Sequence, residues 1–236
     1  MLNNSSLAMV EFTMPMVAAL LTWILCVCVH EFSHAIVAYW GGDDSVKAKG
    51  YLSLNPTRFI DPVFSLLVPA IVLMIGGLPL PGGAVMIDES RLKNRKWGLY
   101  VSAAGPISNF ILFLLFAFPL HPKFGIVDLT LRVQPLWVYF LGAMATLNFI
   151  ATLFNLIPCP PLDGYRLIEH KLPANIQAVM RQPQASLAMF AALFLLFTAT
   201  PKAFYPFIWM LEQVTDRLGL PAWLLLDGFS FVLFNR

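Results

Sequence analysis

Five long apolar runs separated by short polar stretches set the pattern of this chain, at residues 14–40, 64–80, 98–120, 136–157 and 186–200. A helix rises about 1.5 Å per residue, so roughly 20 apolar residues cross the hydrocarbon core of a bilayer. Runs 14–40, 98–120 and 136–157 reach that length, 64–80 sits at the short limit, and 186–200 is shorter still. The 64–80 run is interrupted by Pro69, Gly76, Gly77 and Pro79, so a re-entrant or hairpin segment is expected near 64–87. Two further apolar pieces, 206–211 and 222–234, are broken by Glu212, Asp216, Arg217 and Asp227 and read as short or interfacial helices. The pattern predicts an all-α membrane protein, a multi-pass helical bundle of about five to six transmembrane helices. No internal repeat or low-complexity linker divides it. Residues 1–236 therefore read as a single integral-membrane domain, with a core at 14–166 and C-terminal accessory helices at 184–236.

Composition agrees with the pattern. The 236 residues are 58% hydrophobic and 12% charged, with a mean hydropathy of +0.73, where a soluble domain is about 25% charged. The lipid bilayer is thus an expected partner. A net charge of +2, spread over loops without a basic stripe, argues against nucleic acid. Cys26, Cys28 and Cys159 are odd in number and two lie in an apolar run, so no disulfide framework is implied. The first residues lack the basic stretch of a cleaved signal peptide.

The exception within the first run is Cys28-Val29-His30-Glu31-Phe32-Ser33-His34. Ionisable residues inside a span are costly and mark function. Residues four apart on a helix share a face, so His30 and His34 can offer two imidazoles to one ion. Glu31 can then reach a water bound there, as in the His-Glu-x-x-His arrangement of zinc peptidases. Zinc requires a further protein ligand and an open position. His121, His170, Asp61, Asp88, Asp163 and Asp227 are the candidates. Asp163 is favoured because its Leu-Asp-Gly triplet follows Pro158, Pro160 and Pro161, which end a helix and leave an extended segment whose carboxylate can turn inward. Asp227, in a second Leu-Asp-Gly triplet, lacks that setting.

Three stretches, "HEFSH", "AGPISN" and "NLIPCPPLDG", together resemble the site-2 protease family, zinc metalloproteases that cut within the membrane. The resemblance spans residues 14 to about 166. It implies one Zn2+ per chain held by His30, His34 and Asp163, with Glu31 as the catalytic glutamate. Asn155, eight residues before Asp163, matches the family's asparagine near the active site, where its amide would donate to a developing oxyanion. It implies as substrate a membrane protein with a transmembrane segment. Tyr165 stands where many relatives have a second glycine after the aspartate, and no long polar insertion is present to hold a PDZ or CBS domain. Two other classes fit less well: a metal-binding membrane transporter, which needs no unligated base such as Glu31, and a non-catalytic membrane scaffold.

The ligands constrain topology. One ion shared by His30 and Asp163 requires the helices 14–40 and 136–157 to run in the same direction, which a re-entrant 64–87 segment allows. Residues 41–61, 81–97 and 158–183 then share a side and hold ten Lys and Arg residues, against Lys123 and Arg132 on the other. The positive-inside rule puts the active site toward the cytoplasmic side of the cell membrane. Residues 82–87, Gly-Gly-Ala-Val-Met-Ile, are a candidate edge for an extended substrate.

Overall fold

The computed structural model describes residues 4–59 and 85–234. The expected re-entrant run at 64–80, and Asp61, lie outside the described residues. Helix α1 runs Asn4–Gly41, a short α2 spans Ser45–Ala48, and α3 spans Arg95–Ala117. Helix α4 spans Leu136–Asn155 and α5 Asp163–Ile168. Then come α6 (Ala174–Met180), α7 (Pro183–Ala199), α8 (Tyr205–Leu218) and α9 (Ala222–Phe234). Among the described residues there is no strand, and the all-α reading holds. Of the expected five to six transmembrane helices, the described residues hold three or four candidates. Among the described residues three helices are long and apolar enough to span, at Met16–Gly41, Arg95–Leu120 and Leu136–Asn155. A fourth arises if α6 and α7, bent by 79° where Pro183 opens α7, form one broken span.

Local chemistry sets the boundaries. Asn94 caps α3 by accepting the Lys96 backbone N–H at 3.0 Å, which satisfies one of the donors a helix start leaves open. Pro135 precedes α4, and the run Pro158 to Pro161 ends it because prolines supply no backbone donor. The C-terminal end of α1 and the approach to α3 are tied together. The Lys93 N–H donates to the Gly41 carbonyl at 2.8 Å, and Lys93 Nζ donates to the Trp40 carbonyl at 2.8 Å. The chain therefore leaves α1 and enters α3 at the same end of the bundle. Helix α3 runs back along α1, and α4 returns parallel to α1. The buried Asp43 carboxylate strengthens this end, accepting the Ser45 N–H at 3.0 Å and the Asp88 N–H at 2.8 Å.

The main packing is α1 on α3, α3 on α4, and α9 on α4. Helix–helix association in lipid relies on close packing of small residues more than on apolar burial. Helices α4 and α9 follow that rule. A Cβ at Gly142 would stand 2.8 Å from the Leu224 carbonyl oxygen, and one at Gly228 would stand 2.5 Å from the Tyr139 carbonyl oxygen. The crossing also carries a hydrogen bond from Thr146 Oγ1 to the Leu225 carbonyl at 3.0 Å. Helix α9 is short, as its sequence suggested, yet Leu224 and Leu225 are fully buried with Phe113, Phe149 and Leu211. Its Val232 reaches Ala19, Trp23 and Cys26 of α1. Helix α8 buries Phe207, Leu211 and Thr215, one face at fourfold spacing, and exposes Tyr205 and Trp209.

Candidate metal centre

His30, Glu31 and His34 lie well inside α1, and all three are buried, at 8%, 7% and 6% exposure. The parallel course of α1 and α4 brings the chain after α4 alongside them. There the turn 156–162 folds back tightly. A Cβ at Gly164 would overlap the Leu156 carbonyl oxygen and stand 2.5 Å from that of Ile157. Glycine at 164 permits this closeness, and the fold-back places Asp163, the first residue of α5, against the α1 histidines.

The result is a triangle of electron-pair donors. His30 Nε2 and His34 Nε2 are 3.1 Å apart. Asp163 Oδ2 is 3.4 Å from the first and 3.3 Å from the second. Zinc–nitrogen and zinc–oxygen bonds of about 2.0–2.1 Å in a tetrahedral shell make ligand–ligand edges of about 3.3–3.4 Å. The triangle has that size. Its electronic state points the same way. His34 Nδ1 donates to the Val101 carbonyl of α3 at 2.6 Å, which leaves Nε2 of the neutral ring with a lone pair. Asp163 Oδ2 is buried with no hydrogen-bond partner. Lone pairs converging in a buried site repel one another unless a cation lies between them. The two imidazoles meet edge to face, with ring planes at 82°. Two nitrogens and a carboxylate oxygen are a zinc donor set, and these three are the group among the described residues that could hold a metal.

Glu31 is set beside the triangle and its carboxylate accepts a hydrogen bond from the Val85 backbone. The other candidate ligands lie elsewhere. Asp88 caps a turn, bonding Ser90 and Arg91, and these bonds hold its carboxyl below the usual carboxylate range. His121 Nδ1 accepts the Lys123 N–H at 3.1 Å. His170 lines a polar cavity with Glu89, Arg95, Ser102, Arg166 and Glu169. Asp227 is exposed on α9. Asn155 closes α4, half-buried, and among the described residues its amide has no hydrogen-bond partner.

Two contributors escape a reading of side chains. The Val101 carbonyl and the Val85 backbone act through main-chain atoms, which no residue letter reports. Gly105 of α3 faces the imidazoles, as a Cβ there would overlap His34 Nε2. The stretch "AGPISN" was the available signal, without a role attached to it.

Comparison with known proteins agrees with this chemistry. The model of peptidase family M50 matches residues 123–199, which include Asp163. YwhC of Bacillus subtilis is 36% identical over 205 residues, covering 84% of this chain and 87% of that protein. Rip2 of Mycobacterium tuberculosis H37Rv is 33% identical over 84% of this chain and 74% of its own. Rip2 of Mycolicibacterium smegmatis is 35% identical over 162 residues, and the chain spans 58% of its length. All three carry a zinc-metalloprotease name. No solved structure matches the chain. With a donor triad of zinc type inside an apolar helical bundle, and with relatives that align along most of its length, the chain belongs to peptidase family M50, the site-2 protease family of zinc metalloproteases.

Proposed function

We propose that the chain hydrolyses peptide bonds in or near transmembrane segments of membrane-protein substrates, with its active site toward the cytoplasmic side of the cell membrane. The observation that carries this reading is the convergence of His30 Nε2, His34 Nε2 and Asp163 Oδ2 beside the buried Glu31. Zinc, when bound, supplies a Lewis acid that acidifies water and polarises a carbonyl. His30, His34 and Asp163 hold the ion, and the Val101 carbonyl keeps His34 in the tautomer with a free Nε2. Glu31 takes the proton of the attacking water and gives it to the leaving amine as the C–N bond breaks. Its carboxylate is held by the Val85 N–H. Asn155 donates to the oxyanion that develops on the scissile carbonyl.

Water and substrate need separate routes to a site at this depth. The polar cavity between α3 and the α5 region, lined by Glu89, Arg95, Ser102 and Arg166, supplies water from the side that holds most of the cationic residues. Residues 85–87 of the expected substrate edge lie outside any helix, with Met86 exposed and Val85 and Ile87 packed inward. Residues 82–84 lie outside the described residues. A substrate unwound into an extended segment adds along 85–87, because helical carbonyls are shielded by their own hydrogen bonds. The whole of residues 1–236 acts as one domain.

The test is Glu31→Gln in purified protein, assayed for zinc content and for cleavage of a panel of single-span membrane proteins. The proposal predicts unchanged zinc and a loss of cleavage of at least about 100-fold, the lower end of the range for a general base. Cleavage at the wild-type rate contradicts it. Metal-dependent transport that survives the substitution would establish a carrier instead.

A further inference from the structure

The third wall of the metal centre is α3, and Gly105 on it faces the imidazoles. A Cβ at this position would overlap His34 Nε2 and stand 2.5 Å from His30 Cε1 and 2.6 Å from His30 Nε2. These are the two nitrogens whose lone pairs converge. No unbonded carbon tolerates such distances, so either the rings or the helix must move. Neither is free to do so. The His34 ring is fixed by its bond to the Val101 carbonyl, one turn before Gly105 on the same face of α3. Both rings are buried. On the other side, α3 is held against α4 around this point, with the Pro106 carbonyl accepting from Thr152 Oγ1 at 3.4 Å. Ser108 Oγ donates to the Gly105 carbonyl at 2.7 Å.

Helix stability does not account for the glycine. In a helix interior glycine costs about 0.8–1.0 kcal/mol relative to alanine, and here a proline follows it. Gly98, seven residues earlier on α3, has nothing within 4 Å of a built Cβ. The same helix thus carries one glycine with open space around it and one pressed against the histidines.

We propose that Gly105 is a positioning residue of the metal centre: its missing side chain leaves the space that the paired His30 and His34 rings require to present both Nε2 atoms to one ion. Any larger residue at 105 displaces the rings and weakens metal binding. This inference rests on the zinc-protease reading for its consequence, while the steric coupling between position 105 and the rings stands apart from any activity.

The experiment uses full-length protein purified in detergent, with zinc affinity, the absorption spectrum of the cobalt-loaded protein and thermal unfolding as readouts. Gly105→Ala is expected to lower zinc affinity at least tenfold and to alter the cobalt spectrum, whereas Gly98→Ala keeps both. A Gly105→Ala protein with wild-type affinity and spectrum overturns the proposal. Should Gly105→Ala unfold too readily for metal titration, the decisive comparison is its effect on Tm in a His30→Ala/His34→Ala background. With the rings gone, the substitution is expected to cost no Tm; an equal loss with and without them overturns the proposal. Wild-type protein that takes up no metal while the Tm coupling persists refutes the protease reading and leaves the steric one standing.

Discussion

Residues 162–164 and 226–228 spell the same triplet, Leu-Asp-Gly, and the bundle uses the two in opposite ways. In the first, the aspartate points inward, with Asp163 Oδ2 buried and unpartnered beside two imidazoles. In the second, Asp227 is exposed, and the buried residue is Gly228, which lets α9 cross α4 against the Tyr139 carbonyl. Both glycines sit where a Cβ would strike backbone, of Leu156 in one case and of Tyr139 in the other. What separates them is what the close approach serves. Gly164 draws a turn back on itself and so aims a carboxylate, while Gly228 joins two helices. The triplet itself carries no function; the prolines before the first copy and the helix around the second decide it.

The widest gap between the copies is expected for the aspartates. Asp163→Ala should weaken zinc binding by more than about 100-fold, because even the loss of a group supporting a ligand costs 10–100-fold. Asp227→Ala should stay within about twofold by the same chelator-competition titration. The glycines sharpen the contrast next. Gly164→Ala is expected to lower both thermal stability and zinc affinity. Gly228→Ala should cost about 1–3 kcal/mol of stability by overpacking and leave zinc per folded chain unchanged, as read by melting in detergent beside elemental analysis. Should Gly228→Ala also release zinc, the separation of the two triplets would break. The smallest effect belongs to Thr146→Val, which removes the bond to the Leu225 carbonyl. An interhelical hydrogen bond in a membrane protein averages about 0.6 kcal/mol, so a slight fall in Tm with intact metal binding is expected.

The same comparison explains which parts could be read from the sequence. His30, Glu31 and His34 are local: three positions on one helix turn, set by a spacing that chain chemistry alone imposes. Asp163 was legible through its prolines. Position 105 was visible as a glycine in a distinctive stretch, yet its contact with the rings depends on how α3 lies against α1. The Val101 carbonyl, 67 residues from His34, is a main-chain group and leaves no trace in residue identity. Helix α9 reads as short because it is short. Its place in the core comes from Gly142 meeting Gly228, a pairing across 86 positions of the chain that no periodicity announces. The course of the 174–197 stretch was harder to read for a related reason: Ala174–Met180 and Pro183–Phe197 turn by 79° between them, and apolar run length is blind to direction.

X-ray absorption on the zinc-loaded protein tests the central claim most directly, since it reports the atoms around the ion itself. His30, His34 and Asp163 as ligands predict a shell of nitrogen and oxygen alone at about 2.0–2.1 Å, with the outer scattering of two imidazoles, and a shell that is lost or altered in Asp163→Ala. A sulfur shell at about 2.3 Å, or a spectrum unchanged by Asp163→Ala, would contradict it.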